Sequence, residues 1–140
     1  MRFTILIIIS LLYVSLFAGC DVASRPSGPD GSSNVARAFE QHANDVQIED
    51  EGVVSRILSD DTSGSPHQRF IVRLPSGLTV LIEHNTELAS RIEDLNVGDQ
   101  ISFSGEYVWN AQGGLVHWTH HDPAGRHIAG WLKHKGRTYQ

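Results

Sequence analysis

The feature that most constrains the fold of this chain is a series of short segments, starting at Gly52, in which apolar and polar residues alternate. A period of two is typical of β-strands that bury one face. The alternation, broken by Gly, Pro, Ser, Asn and Asp clusters, predicts five strands: residues 52–59, 67–74, 78–84, 100–109 and 115–121.

A helical pattern interrupts this series between the third and fourth strands. Leu88, Ile92 and Leu95 fall on one side of a predicted helix over residues 86–95, with Asn85 or Thr86 as its cap. The order strand-strand-strand-helix-strand-strand is that of an OB-fold, a five-stranded Greek-key barrel. We therefore predict a mostly β fold with a five-stranded OB-fold-like barrel in residues 52–140. A simple meander with an unrelated helix is the alternative.

An N-terminal helix is predicted before the barrel, over residues 35–51. Val35, Phe39 and Val46 lie at helical spacing, and Asn34 is a suitable N-cap.

The first 34 residues read as a secretory leader and a tether. Residues 4–17 form an uncharged apolar run behind Arg2, which is too short to span a bilayer and is typical of a signal peptide over residues 1–19. The small residues before Cys20 resemble a bacterial lipobox, so we predict lipidation of Cys20 and attachment to a membrane of the cell envelope. A plain signal peptide is the alternative. Residues 20–34 are rich in Pro, Gly and Ser and predict a flexible tether.

Composition excludes several classes of site. Cys20 is the single cysteine, so one chain cannot form a disulfide framework or a thiolate zinc site. The formal net charge of −5 makes a nucleic-acid partner unlikely.

Histidines are the main candidates for function. An OB barrel would bring the ends of strands 1, 3 and 5 and the start of strand 2 to one rim. We predict a polar rim that binds a small polar or polymeric envelope ligand through His67, Arg69, His84, His120, His121, Asp122, Arg126 and His127. Four of these, His67, His84, His120 and His121, are candidate ligands for zinc or another divalent metal. Strand-end histidines that only bond to the backbone are the competing explanation.

Three further interpretations stay open. Histidine and aspartate at the rim could serve a metal-assisted or histidine-based hydrolase, of the phosphodiesterase or nuclease kind. Aromatic residues of the last hairpin, Tyr107, Trp109 and Trp118, could form a ligand-binding surface of the type that OB-folds offer to oligonucleotides and oligosaccharides, or could pack in the core. The basic C-terminal tail, residues 122–140, could meet phosphate or lipid head groups or remain solvated.

A family resemblance rests on the run from His67 to Gln140, which is more than half of the chain. The segment His117-Trp118-Thr119-His120-His121-Asp122-Pro123 is its most specific part, with Gly105-Glu106-Tyr107, Trp109-Asn110, Gly125-Arg126-His127 and Gly130-Trp131 around it. In these residues the chain resembles the bacterial family of "domain of unknown function 3465". The resemblance implies secretion in bacteria and a small β-barrel, and implies no activity.

Overall fold

A computed structural model describes residues 33–140 of the chain. In this part of the chain one short helix precedes the strands: α1 (Asn34–Glu40), β1 (Asn44–Ile57), β2 (His67–Arg73), β3 (Thr79–Asn85), β4 (Gln100–Val108), β5 (Leu115–His117), β6 (Trp131–His134) and β7 (Arg137–Tyr139). The predicted signal peptide, Cys20 and nearly all of the predicted tether lie outside the described residues.

Five of the strands close into a barrel, as predicted. Strands β1, β2 and β3 pair antiparallel in sequence order. Strand β3 pairs parallel with β5, which pairs antiparallel with β4. The barrel closes where β4 also pairs antiparallel with the 14-residue β1. These are the pairings that the OB-fold prediction required.

The barrel interior is filled by alternate side chains of the strands, as a period of two predicts. Phe70 and Val72 of β2 and Ile101, Phe103 and Tyr107 of β4 are all buried. Because Gly105 occupies the remaining inward position of β4, the β5 backbone can approach it closely: a Cβ there would lie 2.3 Å from the carbonyl oxygen of His117. Apolar burial of this kind is the main source of stability for a small domain.

The predicted N-terminal helix over residues 35–51 is too long. Helix α1 ends at Glu40, and residues 44–51 belong to β1 instead. A Schellman motif ends the helix, since the Ala43 N–H donates to the Ala38 carbonyl and the His42 N–H to the Phe39 carbonyl. This motif needs a positive φ at His42, which measures 50°. Glycine usually occupies that position, so the sequence carried no stop signal.

The predicted helix over residues 86–95 does not form. Instead, residues 86–95, which we call the connector between β3 and β4, form a series of turns. The buried Gln68 side chain makes the hydrogen bonds to the connector backbone that a helix would have made. The Gln68 amide accepts from the Ile92 N–H and donates to the Ile92 carbonyl, both at 2.9 Å. Of the three residues on the predicted apolar side, Ile92 and Leu95 are buried because the connector covers one end of the core, whereas Leu88 is 43% exposed.

Residues 131–139, predicted as part of a basic tail, form the hairpin β6–β7 against β4. Leu132 packs in the core. The two-residue turn uses positive φ at Lys135 and Gly136, as a hairpin of this length requires. No helix within residues 33–140 combines the length and the apolar character needed to cross a bilayer.

Candidate ligand-binding site

Strand pairing brings the predicted rim residues of β2 and β3 to one end of the barrel. His67, at the start of β2, lies opposite Asn85, at the end of β3. His84, the residue before Asn85, lies opposite Gln68. Backbone atoms of Asp61 and His67 exchange two hydrogen bonds, which fixes the β1–β2 loop on the same rim. The His67 ring donates from Nδ1 to the Ser65 carbonyl over 2.7 Å, within that loop.

His84 is fully buried and uses both ring nitrogens inside the protein. Its Nε2–H donates to the Ser90 carbonyl at 3.2 Å, and its Nδ1 accepts from the Thr119 hydroxyl at 2.8 Å. Burial lowers the pKa of His84 from 6.5 to about 4, so the ring is neutral at physiological pH. His84 therefore acts as a structural crosslink between β3, the connector and the segment after β5.

The two histidines after β5 differ in environment. His120 is buried and its Nδ1 donates to the His121 carbonyl at 2.8 Å, whereas the His121 side chain is exposed. Among residues 33–140, no three His, Cys, Asp or Glu side chains are grouped so that they could hold a metal ion. The predicted metal set of His67, His84, His120 and His121 is therefore not assembled in this arrangement.

Asp122 is buried and organises the loop that joins β5 to β6, residues 118–130. Its carboxylate accepts from the backbone N–H groups of Ala124, Arg126 and His127. Although burial opposes the shift, these N–H groups lower the pKa of the Asp122 carboxyl. Asp122 thus shapes the loop, while the exposed Arg126 side chain stays available to solvent.

Arg69 lies on the outer face of β2, away from the barrel interior. Its guanidinium Nε donates to the carbonyl of Ser59, which lies just after the end of β1, at 3.0 Å.

A group of polar and aromatic side chains lies where the loop after β5 meets the outer face of β4 and β5. We call it the Trp118 cluster, and its members are Glu106, His117, Trp118, His120 and His127. Glu106 and His117 are direct partners across the two strands. The His117 Nε2 lies 3.1 Å from Glu106 Oε1, and the His127 Nδ1 lies 3.6 Å from Glu106 Oε2. One carboxylate therefore stands between two imidazoles.

The indole of Trp118 is surrounded by rings. His127 stacks on it with the ring centroids 3.6 Å apart and the planes 18° from parallel. His120 and His117 approach it at tilted angles, with centroids 5.4 and 6.1 Å away. The side chains of Glu106, His117 and His127 are between 22 and 33% exposed, so the cluster is open to solvent at its surface.

The backbone at Trp118 is strained. Its φ is 51°, a value that bulky side chains seldom adopt, and it ends β5 at His117. Such strain concentrates at functional sites, where the surroundings impose it. Gly130 allows this conformation, because a Cβ there would lie 2.0 Å from the Trp118 carbonyl oxygen.

A family profile described as "Protein of unknown function (DUF3465)" matches residues 22–140. The chain belongs to this family. No curated protein matches its sequence.

In this DUF3465 protein, the residues that sequence reasoning missed are Glu106 and His117, whereas Trp118 had been considered for a ligand-binding surface. Packing of Trp118 in the core was the alternative, but the positive φ breaks the alternation after β5 and the indole is left partly exposed. Glu106 and His117 could have been found from the register, because Tyr107 and Val116 both point inward and their neighbours must then point outward together. His120 and His127, which had been predicted, do join them.

Proposed function

We propose that this protein is a ligand-binding module of the bacterial envelope, and that its Trp118 cluster recognises a saccharide. The observation that carries the proposal is the partly exposed indole of Trp118, set among three imidazoles beside the Glu106 carboxylate. Pockets of this kind combine an apolar surface with a few polar groups that fix orientation.

The chemistry of the cluster matches a neutral or amine-bearing sugar. A sugar hydroxyl both donates and accepts, so it can donate to the Glu106 carboxylate and accept from an imidazole N–H. The flat indole can cover the C–H face of a sugar ring. A polyanion fits less well, because Glu106 and the net charge of −5 would repel it. OB-folds bind oligosaccharides on related surfaces, which supports the proposal by analogy.

Envelope location is the second part of the proposal, and it is supported by the sequence alone. The leader over residues 1–19, Cys20 at its end and the tether over residues 20–34 together suit a lipid-anchored protein. A tether of this composition would let the barrel reach a polymeric ligand beside the membrane.

The test is titration of the full chain in detergent with β-1,4-linked N-acetylglucosamine oligomers, followed by tryptophan fluorescence. We expect binding that Glu106→Gln and His117→Gln each weaken by about tenfold. Glu49→Gln, which changes an exposed carboxylate of β1, is the matched control and should bind as the wild type does. Maltose oligomers and oligo-dT test other sugars and polyanions. Tight, salt-dependent binding of oligo-dT alone, or equal binding by Glu106→Gln, would overturn the proposal.

A second candidate function follows from the Glu106–His117 pair. A carboxylate that accepts from His117 Nε2 leaves Nδ1 as the free nitrogen, an arrangement that orients a general base in hydrolases. Turnover of bis(p-nitrophenyl) phosphate, measured with and without added zinc, tests it. Hydrolysis that disappears in both His117→Gln and Glu106→Gln would favour an enzyme. Equal rates in all three proteins would reject this candidate and leave the saccharide proposal standing.

A further inference from the structure

A cavity of about 670 Å³ lies away from the Trp118 cluster. One wall comes from the connector between β3 and β4, with Ser90, Arg91 and Asp94. The other comes from the β6–β7 hairpin, with His134, Arg137 and Tyr139.

His134 at the wall of this cavity is only 1% exposed, and a carboxylate lies near each of its two ring nitrogens. Its Nε2 donates to Asp99 Oδ2 at 2.7 Å. The Asn96 N–H and the Lys135 ammonium also contact that carboxylate. The hydrogen bond from His134, followed by that from Asn96, lowers the pKa of Asp99, so this carboxylate is charged at neutral pH. In neutral His134, the proton is therefore on Nε2 and a lone pair is on Nδ1.

The Nδ1 of His134 is a buried acceptor without a hydrogen-bond partner among residues 33–140. Buried polar atoms are rarely left in this condition. Asp94 Oδ1 lies 3.6 Å away and is also an acceptor, while Oδ2 of the same carboxylate accepts from Lys135 Nζ at 3.3 Å. Two acceptors at that distance can both be satisfied by one group that carries several N–H donors, such as a primary ammonium.

Arg137 supplies the opposite charge. It lies directly across the hairpin from His134, so the two side chains leave the same face of the sheet. No carboxylate of the described residues pairs with its guanidinium, which contacts the Tyr139 ring at 5.2 Å. A guanidinium in this condition can bind a carboxylate in bidentate geometry.

We propose that this cavity binds a small zwitterion of the α-amino acid class. The ammonium of the ligand donates to His134 Nδ1 and Asp94 Oδ1, and its carboxylate accepts from Arg137. Because His134 and Arg137 are direct partners across the hairpin, the site suits a free amino acid better than a longer peptide, whose two charged ends are farther apart.

The test is calorimetric titration of the full chain in detergent at neutral pH with alanine. Propionate and isopropylamine, which carry one charged group each, should bind at least about tenfold more weakly than alanine. Asp94→Asn and Arg137→Gln should each weaken alanine binding by a similar factor. Both positions are exposed, so the variants should fold. Lys133→Gln, on the opposite face of β6, is the matched control and should bind normally.

A nitrogen NMR spectrum of the histidines gives a second measurement. Alanine should shift the His134 Nδ1 resonance as its lone pair accepts a hydrogen bond, and the shift should persist in Glu106→Gln. Absence of heat and of this shift up to about 10 mM alanine would overturn the proposal. So would equal binding of alanine by Arg137→Gln. Neither result would bear on the Trp118 cluster.

Discussion

His84 is a buried neutral histidine whose protonation opposes folding. In the unfolded chain His84 takes up a proton near pH 6.5, whereas in the folded chain its pKa is about 4. Because the unfolded state binds more protons between these values, stability falls as the pH drops through that window. The difference corresponds to about 3 kcal/mol of unfolding free energy.

We therefore predict that urea denaturation at pH 5 shows a clear loss of stability relative to pH 7.5. His84→Gln should reduce this pH dependence, since glutamine carries no titratable group. His121→Gln, an exposed control, should retain it. An NMR titration in which His84 of the wild-type protein protonates near pH 6.5 would contradict the prediction.

Gly130 is required by close backbone packing. A Cβ at this position would lie 2.0 Å from the Trp118 carbonyl oxygen and 2.5 Å from that of Ser104. Gly130→Ala should therefore lower the unfolding free energy by about 1–3 kcal/mol and weaken saccharide binding, because Trp118 must move. Thermal unfolding measures the first effect. Ala129→Ser, at the exposed neighbouring position, should change stability by less than about 0.5 kcal/mol.

At the scale of elements, the connector between β3 and β4 depends on one side chain. Gln68 bonds both backbone groups of Ile92, and those groups are buried. Gln68→Leu would leave a donor and an acceptor unpaired at about 1–3 kcal/mol each. We expect a loss of about 2–5 kcal/mol in urea denaturation, with faster amide exchange over residues 86–95. Gln112→Leu, at an exposed turn, is the control. If Gln68→Leu lost no more unfolding free energy than Gln112→Leu does, Gln68 would not hold the connector.

The strands were predictable because burial of one face imposes alternation directly on the sequence. The five barrel strands, their order and the inward set Phe70, Val72, Ile101, Phe103 and Tyr107 follow from that pattern. The connector was predicted as a helix, since Leu88, Ile92 and Leu95 fit a helical period. A long-range contact from Gln68 decided otherwise, and no local pattern reports such a contact.

The candidate site was predictable only in part. His120 and His127 were predicted to share a site, and they meet in the Trp118 cluster. Glu106 and His117 depend on strand register, which alternation within one strand does not give. The turn of the chain at Trp118 depends on a positive φ that the sequence gives no reason to expect.

At the scale of the whole molecule, the lipid anchor remains a prediction that concerns Cys20. We expect cells fed radiolabelled palmitate to label the full chain and to keep it in the membrane fraction. Cys20→Ser should abolish the label and release the protein, since a signal peptide alone leaves no lipid. Labelling that survives this substitution would contradict lipidation at Cys20.

The pairing of β1 with β4 has a consequence for the order of events during synthesis. Strand β1 pairs with β4 from Asn44 with Val108 to Val53 with Gln100. This part of β1 therefore has no partner strand until β4 has been synthesised. Such non-local pairing slows folding. We expect the barrel of the nascent chain to stay unclosed until the ribosome has synthesised most of the chain. A chain whose barrel has not closed would stay unfolded enough for the export across a membrane that we propose.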